Sequence, residues 1–242
     1  MESADVIVVG SGSAGAVIAR RLVEADLDVL LLEAGGPDED PAIHDPGRLF
    51  ELWDGPSDWG YRTAPQRACT SRRLHWPRGR VLGGSSALNG MIYVRGSRAD
   101  YDTWAHLGNR GWAYDDVLPL FKRSEDFDGG AGPYHGTGGP LRVMSRYEPH
   151  PVIADAIAAT QDLGIPANDD CNAERQEGVG RCHLTIRDGR RDSVARAFLG
   201  PVAGRPNLTI RTGTRALRLV FDGDRCEVVE NRLKTDPMPV YI

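Results

Sequence analysis

Six residues near the start of the chain have the types and spacing needed to hold a diphosphate. They are Gly10-Ser11-Gly12-Ser13-Ala14-Gly15, a G-x-G-x-x-G pattern. In such a pattern the first glycine makes a tight turn, the second lets the backbone approach the pyrophosphate, and the third lets a helix pack closely on a strand. The helix that follows offers unpaired N–H groups and the positive end of its dipole to the phosphates. Glu33 lies 18 residues past Gly15. A carboxylate at that place accepts hydrogen bonds from a ribose 2′-OH and repels a 2′-phosphate. The chemistry implied is binding of FAD or NAD in preference to NADP. No Lys-Ser or Lys-Thr follows Gly15, which excludes a Walker loop, and no G-x-S-x-G elbow of a hydrolase occurs.

A second bare stretch runs from Arg78 to Gly90, RGRVLGGSSALNG. Gly83 and Gly84 lack a Cβ, so either a ligand approaches the main chain there or the backbone needs φ > 0. Composition alone fits a plain turn and a cradle equally.

The elements that must position these residues are legible around them. Val6-Ile7-Val8-Val9 and Val29-Leu30-Leu31-Leu32 are continuous apolar runs, the pattern of parallel strands covered on both faces. Between them Ala14, Val17, Ile18 and Leu22 recur at helical spacing, so a helix begins inside the glycine motif. With Glu33 at the tip of the second strand, the first 36 residues form a strand–helix–strand unit of an α/β fold. Further along, the patterns predict short helical segments over Asp102–Leu107 and from Tyr114, the latter capped by Asp115 or Asp116 with Pro119 near its first turn. A helix over Pro151–Leu163 carries an apolar face of Val152, Ile153, Ala156, Ile157 and Leu163. Leu208–Ile210 reads as a strand, and Leu217–Phe221 and Cys226–Val229 as two strands joined at Asp222-Gly223. Gly129–Gly139 reads as a surface loop.

With 40% hydrophobic and 26% charged residues, the 242-residue chain has the balance of a soluble globular protein of one large or two small domains. A net charge of -5 argues against a nucleic-acid partner. The local cluster Arg187, Arg190 and Arg191 is read as solvated surface. Cys69, Cys171, Cys182 and Cys226 are irregularly spaced, which predicts reduced thiols. No apolar run approaches a membrane span, and MESADVIVVG lacks the regions of a signal peptide, so the expected location is cytoplasmic, with no membrane partner. His44, His75, His106, His135, His150 and His183 are scattered without metal-ligand spacing. They are read as surface or packing residues, and no metal is expected.

The run Gly79-Arg80-Val81-Leu82-Gly83-Gly84-Ser85-Ser86-Ala87-Leu88-Asn89, followed by Tyr93, Gly96 and Asp102, resembles the first signature of the glucose-methanol-choline (GMC) flavin oxidoreductases. Asp58–Tyr61, Tyr93–Gly96, Tyr114–Phe127, Tyr134–Leu141, Arg191–Leu199 and Asn207–Phe221 also look like this family, so the likeness spans roughly residues 5 to 225. The resemblance implies a Rossmann-like FAD-binding fold with a parallel sheet and the beginning of a substrate-binding domain. It implies an FAD-binding region over 1–145, a partial substrate or cap region over 146–206, a return to the FAD-binding region over 207–230, and an aberrant tail over 231–242.

In such proteins the first glycine motif, Gly10, Ser11, Gly12, Ser13, Ala14 and Gly15, holds the pyrophosphate. Glu33 with Ala34 serves the adenosine ribose, and Ala216 makes a main-chain contact to adenine. Gly83, Gly84 and Ser85 lie along the flavin, with Asn89, Gly90, Met91 and Ile92 close to its ring, and Arg80 and Val81 are counted among the cofactor-binding residues. Where some members attach the flavin covalently through a histidine, this chain has Leu88, which has no nucleophile; the resemblance therefore implies non-covalent FAD. The family oxidises the CH–OH group of small-molecule alcohols by hydride transfer to flavin, helped by a histidine base in the C-terminal part of its fold. No residue here is assigned that role. The chain is read as the N-terminal portion of such a protein, inactive alone, with an unpaired edge on its first strand. Two other readings remain: a non-catalytic nucleotide-binding module completed by another polypeptide, and an NAD-dependent dehydrogenase. The last leaves Gly79 to Asp102 unexplained.

Overall fold

The computed structural model describes residues 4–233 and 237–241. The chain forms two compact units, Met1–Gly90 with Arg190–Ile242, and Met91–Gly189. The segment boundaries expected at 145/146 and 206/207 fall inside these units. The expected tail, 231–242, includes residues 234–236 and 242, which lie outside the described residues.

In the first unit β1 (Val6–Val9), β2 (Val29–Leu32) and β3 (Leu208–Arg211) form a parallel sheet with β2 in the middle. Helix α1 (Ser13–Glu24) makes the crossover from β1 to β2. All four residues of β2 are buried, as its apolar run requires. β1 departs from the expectation of two covered faces: Val8 is buried, but Val9 is 52% exposed. β1 is an edge that pairs only with β2 among the described strands, and Val9, its last residue, opens onto a cleft of the same unit.

The helix begins where expected but buries a different stripe. Gly15, Ala16, Ala19 and Val23 face inward, while Ile18 is 49% exposed. Small side chains let the helix axis close on the sheet, and the bulkier ones are left outside. A Cβ on Gly15 would overlap the Gly10 carbonyl.

β4 (Thr214–Asp222), β5 (Arg225–Leu233) and β6 (Pro237–Tyr241) form an antiparallel sheet. β5 runs further than the expected Cys226–Val229. A separate core gathers Ala42, Ile43, Leu52, Val81, Ala87 and Leu88 beneath the second glycine stretch.

The second unit carries α2 (Arg98–His106), α3 (Tyr114–Ser124) and α4 (Pro151–Asp162). α2 starts four residues before the expected Asp102, because Ser97 and Asp100 cap it: Asp100 accepts from the Ser97 N–H at 2.7 Å and from its hydroxyl at 2.9 Å. α3 is not capped by Asp115 or Asp116. Ala113 is the N-cap, and Asp116 reaches back to accept its N–H at 3.2 Å. No residue of α4 is buried; Val152 and Ile153 of its expected apolar face are 64% and 51% exposed.

The centre of this unit is polar. Glu125 holds Arg95 at 2.9 Å and His135 at 3.1 Å, and Asp170 takes the other ring nitrogen of His135 at 2.9 Å. His135 and Gly136 are buried, so the Gly129–Gly139 loop is anchored at those two residues instead of lying wholly on the surface. Among the described residues no helix is long and apolar enough to cross a membrane. Among the described residues Cys69, Cys171 and Cys182 are thiols outside any disulfide, as expected.

Candidate functional site

Both glycine stretches end in one cleft of about 680 Å³ in the first unit. Gly10 and Gly12 from the β1–α1 turn, Glu33 and Ala34 at the end of β2, Gly84 and Ser85 from the second stretch, and Ala216 from β4 all line it. The two stretches touch through backbone. A Cβ on Gly84 would stand 2.8 Å from the Gly12 Cα, and Gly84 holds φ +55°. The Gly83 N–H donates to the Ser11 hydroxyl oxygen at 3.1 Å. Sidechain-free backbone is therefore required where they cross.

Glu33 is buried at the cleft wall. Its Oε2 accepts the Ser11 N–H at 3.0 Å and the Ser11 hydroxyl at 2.7 Å, and its Oε1 accepts the Gly35 N–H at 2.8 Å. A carboxylate offers about four lone-pair sites, so roughly one remains for a donor in the cleft. Gly35 is a partner that the sequence reading did not single out. A Cβ there would overlap the Arg80 carbonyl group, and the Leu82 N–H donates to Gly36 O at 2.9 Å.

The turn preceding α1 leaves its donors available. Gly12 is the N-cap and contributes no side-chain bond. Ser13 and Ala14 are exposed, and a Cβ on Gly10 or Gly12 would meet no atom within 4 Å. The opposite rim is aromatic and cationic. Trp59 and Tyr61 stack at 5.8 Å with planes 4° apart. The guanidinium groups of Arg80 and Arg215 each lie 5.5 Å from the Trp59 ring centre. The Asp58–Tyr61 stretch carries part of the family likeness, but the sequence reading singles out neither Trp59 nor Tyr61 as a site residue.

Other expected residues serve differently. Ser11 and Gly15 are buried behind the cleft, and Val81 packs in the apolar core without lining the cleft. Asn89 lines a neighbouring apolar pocket of about 420 Å³ with Leu88, Trp53 and His75. Gly90 is exposed. Met91 and Ile92 belong to the second unit. There the Met91 carbonyl accepts the Thr185 N–H at 2.8 Å, and Ile92 pairs with Leu184.

Asp58, beneath the rim, is buried. Burial alone would raise its pKa, but N–H donors from Arg78, Asp54 and Gly60 and the His75 ring outweigh it and hold the carboxyl at about 2. Asp58, Asp54 and His75 offer ligand atoms within 4.8 Å of one another. Asp58 is already supplied with those donors, and Arg62 binds Asp54 at 2.7 Å, so the cluster is a fully bonded tie beneath the rim.

Arg191 corrects the reading of the Arg187–Arg191 cluster as solvated. It is 1% exposed. Its Nε donates to Ile43 O at 2.8 Å, and its Nη1 to Asn89 O at 2.6 Å, Asn89 Oδ1 at 2.9 Å and Ser86 O at 3.2 Å. Its acceptors are about a hundred or more residues away in sequence, which is why local composition misplaced it.

A strand–turn–helix cradle joined by a glycine-serine loop defines a dinucleotide-binding α/β protein. The model of one family, GMC oxidoreductase, matches residues 4–238, and the chain belongs to that family. The match continues past Arg225, where the visible likeness ends. An oxygen-dependent choline dehydrogenase of Brucella anthropi is 44% identical over 229 residues, 94% of this chain and 42% of the relative. The mitochondrial choline dehydrogenase of Homo sapiens is 44% identical, covering 93% of this chain and 39% of its own length. Among solved structures, pyridoxine 4-oxidase from Mesorbium loti superposes with a TM-score of 0.94 at 40% identity, over 98% of this chain and 47% of the other. The chain thus spans less than half the length of these relatives.

Proposed function

We propose that this chain binds FAD without a covalent link and forms the cofactor-binding part of an oxidoreductase acting on the CH–OH group of a small alcohol. One observation carries the reading: the diphosphate-type turn at 10–15 and the naked loop at 83–85 share a single cleft with Glu33 and Ala216. The cleft suits a dinucleotide. Its floor is glycine backbone into which no side chain intrudes, and its helix donors are uncapped.

In this reading Gly12, Ser13 and Ala14 present main-chain N–H groups to the pyrophosphate. Glu33, held by Ser11 and Gly35, accepts one ribose hydroxyl. Ala216 offers its main chain to adenine, and Gly84, Ser85 and Asn89 border the ring system. Bound FAD supplies the two-electron acceptor that no side chain of this protein provides. Leu88 sits in a buried apolar cluster with no nucleophile to attach it. The names of the relatives suggest a small polar alcohol of the choline or pyridoxine kind. No proton-transfer residue is assigned in these 242 residues.

The test is direct. The purified chain is incubated with FAD, NAD or NADP, freed of excess, and precipitated with acid. FAD should be retained in preference to both and then appear in the supernatant. Retention of NAD alone, or of no nucleotide, overturns the reading; yellow colour left in the pellet overturns only the non-covalent part.

A further inference from the structure

Arg191 has a role beyond packing. It lies in the same compact unit as the Gly83–Gly90 loop and is almost wholly out of water. Every acceptor it finds is an uncharged oxygen: Ile43 O, Ser86 O, Asn89 O and Asn89 Oδ1. Its Nη2 has no hydrogen-bond partner. The adjacent Asp192 is also buried, but faces Arg196 at 3.9 Å. Burial alone lowers the Arg191 pKa, to about 10, and no carboxylate offsets it. Arginine nevertheless stays protonated at neutral pH.

A buried cation without an anion is costly. An apolar side chain of the same length would fill the space at lower cost. What the guanidinium adds is a planar fork reaching the Ser86 and Asn89 carbonyls of the loop and the Ile43 carbonyl behind it. A second tie supports the fork: the Ser86 hydroxyl accepts the Val194 N–H at 3.0 Å and donates to Gly83 O at 2.7 Å. The loop's carbonyls are thus drawn to the Arg191 side. Ser85 lines the cleft, and Ser85, Leu88 and Asn89 line the adjoining pocket. The charge therefore stands one residue behind both walls.

We propose that Arg191 is the positioning residue of the Gly83–Gly90 loop and the source of a fixed positive field behind it, which favours the electron-rich form of a ring bound against the loop's other face. The field part rests on the FAD reading above; the positioning part does not.

The experiment uses the 242-residue chain, wild type, R191K and R191M. In the cofactor-free proteins, hydrogen exchange of peptides covering 83–90 is measured first. Both substitutions should speed it by about tenfold or more, because neither side chain spans all the carbonyls. Unchanged exchange overturns the positioning role. With FAD bound, sulfite affinity is then titrated, since sulfite adds to the flavin and leaves negative charge on the ring. R191M should weaken sulfite binding by about tenfold, the effect of one nearby charge at intermediate dielectric. R191K should stay near wild type at pH 6 and fall away from it as pH rises, because a buried ammonium loses its proton where arginine does not. If R191M does not fold, the R191K-to-wild-type ratio across pH decides, and a flat ratio at the wild-type value overturns the field. A wild type that takes up no FAD overturns the cofactor reading and the field together. A wild type that binds FAD, with R191M matching its sulfite affinity, overturns the field alone.

Discussion

The Ser11 hydroxyl donates to Glu33 Oε2 at 2.7 Å while accepting the Gly83 N–H at 3.1 Å. One hydroxyl thus links the turn after β1, the end of β2 and a loop 72 residues further on. A buried donor left without its acceptor costs about 1–3 kcal/mol. S11A should therefore lower the unfolding free energy of the cofactor-free chain by that order, read as a lower urea midpoint, even though Ser11 does not line the cleft. An unchanged midpoint would show that water replaces the hydroxyl.

Gly12 and Gly84 face each other, yet their replacements should behave differently. A Cβ on Gly12 meets nothing within 4 Å, so G12A should cost only the N-cap preference of glycine over alanine, about 0.5–1 kcal/mol. The new methyl lies in the cleft, however, and FAD affinity should fall by about tenfold or more. A Cβ on Gly84 is strained by its φ of +55° and crowds the Gly12 Cα. G84A should lose both affinity and about 1–3 kcal/mol of stability. Paired calorimetric titration and urea unfolding separate the two cases; equal stability losses would contradict the geometry.

His135 makes the fold pH-dependent on the alkaline side. Burial would lower its pKa, but the Asp170 and Glu125 carboxylates overcome this and raise it from 6.5 to about 9. A group with a raised folded pKa contributes stability that is fully present below its unfolded value and lost as pH rises through the folded one. Roughly 3 kcal/mol should disappear between about pH 6.5 and pH 9. Urea unfolding of wild type across that window should decline, while H135Q, weaker at pH 6, should be flat. Parallel profiles would remove His135 from this role.

Some of this architecture is written locally, and some is not. Four consecutive apolar residues, a glycine turn and a helical repeat are short-range signals, so β1, α1, β2 and the place of Glu33 could be read directly. Burial is not local. Val9 is uncovered because the strand ends in the cleft, and α1 turns its alanines inward because close approach outweighs the size of Ile18. The cleft's glycines were legible because a bare backbone is itself a residue type. Arg191 was not, because carbonyl acceptors from Ile43, Ser86 and Asn89 leave no residue-type signature. The charged groups around His135 were likewise invisible: Glu125 and Asp170 reach it from 10 and 35 residues away.

The crossing of Gly12 and Gly84 also bears on proteolysis. The stretch between them includes Thr70-Ser71-Arg72-Arg73, all four exposed, an inviting place for trypsin. A nick there severs the peptide chain but not the Gly83–Ser11 bond or the backbone seam beside it. The two fragments should co-migrate on a sizing column under native conditions and part only in denaturant. The seam would then act as a non-covalent splice, keeping the cleft whole after the chain has been cut.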